Sequence, residues 1–208
     1  MVQFSLQTIR SRLNADNLAS MLVFFIYDEP FKMKLKIVND SLFNQQAEAI
    51  ILSIDGYGAG MGGRAARKFE ELYPELWKTV ESKINYPIKP GNFYVGMLPV
   101  PAPYQYIYLA SVLSHLPAPS DIPDPLIFHR AFLQIIHDAA HKNLSSIITG
   151  LPTGGWRNDP LNSFIGLSEV IDKSIGFTRK MELILCILEP DICEKIVRYA
   201  KNTGYVLY

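Results

Sequence analysis

Residues 54–64 read Ile-Asp-Gly-Tyr-Gly-Ala-Gly-Met-Gly-Gly-Arg, and this stretch constrains the chain more than any other. Five glycines, Gly56, Gly58, Gly60, Gly62 and Gly63, fall within eight positions. Glycine reaches positive φ and lets another group approach the backbone with no Cβ in the way. An apolar run over residues 49–54 precedes the glycines, and a helix-like pattern begins at Arg64. A strand, a glycine loop and a helix N-terminus in that order aim several N–H donors at one spot, where the helix dipole adds positive potential. Phosphate is the natural guest of such a spot.

The bulk properties narrow the class. A chain of 208 residues that is 49% hydrophobic can bury a substantial core and is not generally disordered. Lysine and arginine total 20, as do aspartate and glutamate. Without excess cations a chain is poorly suited to neutralising nucleic-acid phosphates, so no nucleic-acid partner is expected. Cys186 and Cys193 form neither a CxxC nor a zinc-like spacing with histidine, and read as thiols in a reducing compartment. The apolar run over residues 21–27 is far shorter than the roughly 20 residues of a membrane helix. Arg10 and Arg12 precede it, yet Asp28, Glu29 and Pro30 follow where a signal peptide has its small-residue cleavage site. A buried strand fits it better. The expectation is a cytoplasmic protein without membrane contact.

Residues 1–32 read as an N-terminal extension whose strand over 21–27 joins the sheet of a domain spanning 33–208. Lys34 to Val38 alternates like a half-exposed strand, and residues 47–54 form an apolar run broken at Glu48 and Ser53, like a central strand covered on both faces. Ala66, Phe69, Tyr73, Leu76, Trp77 and Val80 recur at helical spacing, with Pro74 splitting the run into two helices. Residues 87–91 form a turn, and strands are expected over 92–98 and 105–113. A proline-rich loop then leads into a helix over 126–142. A strand over 145–149 is followed by a second glycine-containing loop over 150–156, a helix over 161–175, a strand over 181–188, a helix over 191–201 and a last strand over 205–208. Strands alternating with helices define an α/β domain with a largely parallel sheet. Ligands of such sheets bind beyond the carboxyl ends of the strands, where both glycine loops belong.

Competing motifs fare less well. Gly58, Gly60 and Gly63 match the spacing of the dinucleotide fingerprint, but the next strand, over residues 92–98, has no acid at its end for the ribose hydroxyls. His137 and His141 have the i, i+4 spacing of zinc proteases. Asp138 stands where those enzymes need glutamate, so the pair reads as solvated histidines and no metal is expected. The chain contains neither GxxxxGK[ST] nor GxSxG.

From Lys34 to Lys201 the pattern resembles the macro domain family of ADP-ribose-binding modules. Residues 35–40 are similar to the family's opening strand, which ends in an aspartate that receives the adenine amino group; this implies that role for Asp40. Residues 49–55 stand in the place of the family's Ala-Ile-Val-Asn-Ala-Ala-Asn, which puts Asp55 at the distal ribose. Gly58, Gly60, Met61, Gly62 and Gly63 resemble the loop around the diphosphate and distal ribose. Thr153, Gly154, Gly155 and Trp156 resemble the second phosphate loop. Hydrolytic members often carry an acid after the first loop; here Arg64 and Arg67 stand there.

The resemblance implies a three-layer α/β/α macro-type fold with a mixed, largely parallel central sheet. It further implies binding of ADP-ribose or an ADP-ribosylated protein through the two loops, with no separate cofactor; Arg64, read from its own position, either neutralises phosphate charge or stands as an exposed first-turn arginine. If the site is catalytic, hydrolysis of an ADP-ribosyl bond with Asp55 handling the water is the implied reaction. The alternative is a degenerate macro fold serving as a scaffold, its cleft plugged by Tyr57, Met61 or Trp156.

Overall fold

The computed structural model describes residues 33–57, 63–113, 125–153, 159–174, 176 and 181–205. The expected extension over 1–32, residues 58–62 of the first glycine loop, residues 154–156 of the second and the last three residues of the chain lie outside them. In chain order the elements are β1 (Lys34–Val38), a 3-10 turn (Leu42–Asn44), β2 (Ala49–Asp55), α1 (Arg64–Leu72), α2 (Pro74–Glu81), β3 (Phe93–Met97), β4 (Tyr106–Leu113), α3 (Pro125–His141), β5 (Ser146–Gly150), α4 (Pro160–Lys173), β6 (Glu182–Cys186) and α5 (Pro190–Asn202). They match the expected succession to within three residues at each end. Tyr205, expected to open a last strand, lies in coil.

The strands form one sheet in the order β1-β6-β5-β2-β4-β3. All neighbours run parallel except β3, which pairs antiparallel with β4. Period-two alternation distributes the apolar side chains to two cores. From β2, Ile50, Leu52 and Ile54 enter one core with Ala66 and Phe69 of α1 and Trp77 and Val80 of α2. Ala49 and Ile51 enter the other with α3, α4 and α5. The result is a three-layer α/β/α domain with a mixed, mostly parallel sheet, and β2 is buried on both faces because its apolar run leaves neither face polar.

Helix boundaries follow local chemistry. Tyr73 ends α1 with its N–H on the Phe69 carbonyl at 2.8 Å, and Pro74 at the next position cannot continue the ladder and starts α2 instead. On α3, Phe128, Ala131, Phe132, Ile135, Ile136 and Ala139 make one buried stripe. Phe132 is fully buried at its centre, its ring 4.5 Å from that of Phe128. Phe132→Ala should therefore cost about 3–5 kcal/mol of stability. Urea denaturation should show a lower midpoint with an unchanged slope; a loss below about 1 kcal/mol would mean that this stripe does not carry the helical layer.

Candidate functional site

The rim of interest is the one where the parallel strands end. β2 pairs with β5 in register, Ala49 with Ile147 through Ile51 with Thr149, so the two strands that lead into the glycine loops are adjacent and point the same way. Both loops leave one rim from neighbouring strands, as the alternating pattern requires.

The exit from β2 is tightly built. Register shifts between Ile54 and Asp55, where β4 carries an extra residue, so that Ile54 faces Ser111 and Asp55 faces Leu113. Asp55 is fully buried, and its Oδ1 accepts the Tyr57 N–H at 3.1 Å, which closes the turn. Gly56 sits against the 86–91 turn: its carbonyl accepts the Ile88 N–H at 2.7 Å, and the Ser111 hydroxyl donates to the Ile88 carbonyl at 3.0 Å. A Cβ on Gly56 would lie 1.8 Å from the Ile88 oxygen and 2.2 Å from Ser111 Oγ. The first glycine of the sequence signature thus serves a backbone approach beneath the loop. The sequence marked residues 87–91 only as a turn, and nothing in its prolines and glycine identifies Gly56 as the neighbour.

Residues 58–62, which include Gly58, Gly60, Met61 and Gly62, lie outside the described residues. Gly63 is described and caps α1. Having no side chain, it brings no acceptor to the first amides of the helix, and the first turn contains no acid. The α4 helix after the second loop is different: the Asp159 carboxylate accepts the Leu161 and Asn162 N–H groups at 2.9 and 3.1 Å. The N-terminus of α4 is thus served by its own cap, whereas Gly63 leaves that of α1 without a side-chain acceptor. Arg64, 71% exposed in the first turn of α1, reaches Glu189 at 3.7 Å. Glu189 immediately follows the β6 exit and caps α5, so this pair spans from the β2 side of the rim to the β6 side. Sequence reasoning noted Arg64 and not its partner, because no local pattern links positions so far apart.

Asp40 lies two residues past β1 on the same rim. Its Oδ1 accepts the Ser41 N–H at 2.7 Å and Asn44 Nδ2 at 2.8 Å, and its Oδ2 accepts Gln45 Nε2 at 2.8 Å. These donors, Asn44 foremost, hold its carboxyl below the usual range. A carboxylate has about four lone-pair positions, so the three donors leave one on Oδ2 for a further guest. Asn39 beside it donates to the Ile187 and Leu188 carbonyls at 2.7 and 3.1 Å and ties the ends of β1 and β6 together. Thr153 is half-buried, its N–H on the Leu151 carbonyl at 2.9 Å; Gly154, Gly155 and Trp156 lie outside the described residues. Tyr57 is 42% exposed. An open cavity of about 550 Å³ lies on the opposite rim, at the amino ends of β2, β4 and β5, lined by Phe43, Asn44, Gln45, Glu48, Tyr104 and Ser146 among others. Its lining includes none of the described residues of the glycine loops, although Asn44 and Gln45 are also the donors that hold Asp40.

With this geometry the comparisons with known structures agree on one fold. The Oceanobacillus iheyensis macrodomain with MES bound matches at a TM-score of 0.64 and 16% identity, over 84% of this chain and 96% of that one. The macrodomain of Mycobacterium tuberculosis DarG matches at 0.60 and 15% identity, over 74% and 97%. A Trypanosoma brucei macrodomain in complex with ADP-ribose matches at 0.60 and 18% identity, over 82% and 69%. No protein-family model and no curated protein matches the chain. The class of protein is the three-layer α/β/α domain, and within it this chain has the macrodomain fold.

The rim makes a paired prediction. Gly56→Ala forces the β2 exit and the 86–91 turn apart and should cost about 2 kcal/mol or more. Among the described residues Gly150→Ala at the end of β5 meets only Leu42 Cδ2 at 3.7 Å and the Cys186 oxygen at 3.9 Å, and should be neutral or stabilise by up to about 1 kcal/mol. Equal melting temperatures for the two variants would contradict the tight packing at Gly56.

Proposed function

We propose that the carboxyl rim binds ADP-ribose, free or as an adduct on another protein. The observation that carries this reading is the N-terminus of α1. Its amides follow a glycine cap with no side-chain acceptor, at the end of a strand adjacent to the one that leads into the second loop. A diphosphate supplies the missing acceptors and gains from the helix dipole. In this reading Gly58, Gly60, Met61, Gly62 and Gly63 wrap the diphosphate and Thr153, Gly154, Gly155 and Trp156 close over it. Arg64 offsets phosphate charge, and the remaining lone pair of Asp40 accepts the adenine amino group. The Trypanosoma brucei relative of the same fold, solved in complex with ADP-ribose, supports the choice of ligand. The exposure of Tyr57 supports an open cleft over a scaffold that plugs its own rim.

Asp55 is assigned to binding and not to water activation. It is buried and organises the turn through the Tyr57 N–H, and the first turn of α1 has no acid to assist it. Calorimetric titration should give ADP-ribose tighter binding than ADP, and ADP tighter than AMP. Asp55→Asn keeps an acceptor oxygen for Tyr57 and should retain the affinity within about threefold. If Asp55 activates water, the same change would instead remove release of ADP-ribose from a modified protein by about 10²–10⁴-fold while binding survives. Failure of the wild-type chain to bind ADP-ribose would favour the scaffold reading.

A further inference from the structure

His137 and His141 stand apart from the candidate rim. Both are exposed on the last turns of α3, the helix that leads into the amino end of β5. Their spacing puts the two rings one above the other on one helix face. The rings are nearly perpendicular, with centroids 4.3 Å apart, and the two Nε2 atoms converge to 3.2 Å. Two zinc–nitrogen bonds of about 2.0–2.1 Å, opened to between a right angle and the tetrahedral angle, put the nitrogens about 2.9–3.4 Å apart. The separation in this chain lies inside that span.

The surroundings support a cation there. The macrodipole gives the C-terminal end of a helix negative partial charge, and at the end of α3 the Asp138, Ala139 and Ala140 carbonyls accept the Lys142, Leu144 and Asn143 N–H groups. Asp138 lies between the two histidines in sequence, with its carboxylate already engaged: Tyr108 donates to Oδ2 at 2.7 Å, and Lys142 Nζ lies 2.6 Å from both oxygens. Tyr108 is fully buried, so this network anchors the last turns of α3 to the sheet and limits the freedom of the segment that carries the pair. Among the described residues no group of three or more His, Cys, Asp or Glu converges on one point. Such a site therefore offers two imidazoles and leaves the remaining positions to water or to a partner's side chain.

We propose that His137 and His141 form a bidentate surface site for a divalent transition-metal ion that favours imidazole, such as Zn²⁺, Ni²⁺ or Cu²⁺. The site discriminates against Mg²⁺ and Ca²⁺, which take oxygen ligands. It is independent of ADP-ribose binding, because it sits at the amino ends of the strands and the glycine loops leave the carboxyl ends.

The test is calorimetric titration of the full chain with NiCl₂ and with ZnCl₂, with MgCl₂ as control, alongside retention of the untagged protein on an immobilised-nickel column. One ion should bind per chain, with no heat from Mg²⁺. His137→Ala and His141→Ala should each bind at least about tenfold more weakly, because each loses the second arm of the chelate. Both ring variants change exposed side chains, and unchanged circular dichroism will show that they fold. Nickel and zinc binding that survives in His137→Ala and His141→Ala, or a wild type that takes up neither metal, would overturn the proposal.

Discussion

The pairing of β2 with its two neighbours is the constraint on which the rest depends. β2 is apolar on both faces, so it can be stable only at the centre of a sheet with helices above and below. That position forces the chain to divide its helices between two layers. It also forces β5 to lie beside β2 in parallel, which brings the ends of two distant segments onto one rim. The candidate site is thus a consequence of burying six of the seven residues of β2, Ala49–Asp55, and not of any single contact between the loops. The same logic explains why the antiparallel strand is at the edge: β3 follows β4's far side, where a single neighbour suffices.

Beneath the site the structure spends its tightest contacts on backbone. Gly56 touches the Ile88 carbonyl, Ser111 holds that carbonyl from β4, and Asp55 closes the turn. These bonds set where the chain leaves β2 before any ligand is present, and a preorganised exit reduces the ordering cost of binding. The two helices that follow the glycine loops are not equivalent. Asp159 serves the amides of α4, while Gly63 brings no acceptor to those of α1. Between these two helix ends, an anion has more to gain at α1.

Much of this was legible in the sequence. The apolar run before the glycines marked the central strand, the alternation of Lys34 to Val38 marked a half-exposed strand, and Pro74 marked the break between α1 and α2, because each signal is local. The two rims could be told apart for the same reason, since strand direction follows from alternating helices. What the sequence hid is contact between distant positions. Nothing around Ile88 announces that it fills the space left by Gly56. Arg64 gives no sign of Glu189, and Asp40 gives no sign that three donors already hold its carboxylate. His137 and His141 showed their spacing but not their convergence, which depends on rotamers that a pattern does not specify.

In the proposed function one ligand sits on the carboxyl rim between the ends of β1, β2, β5 and β6. A titration of isotope-labelled protein with ADP-ribose, followed by amide NMR shifts, tests it most directly. The account predicts that the amides of Asp40, Tyr57, Gly63, Arg64 and Thr153 shift together with one saturation curve, while those of Glu48, Tyr104 and Ser146 on the opposite rim stay in place. Shifts confined to Glu48, Tyr104 and Ser146, or none at all at saturating ligand, would contradict it.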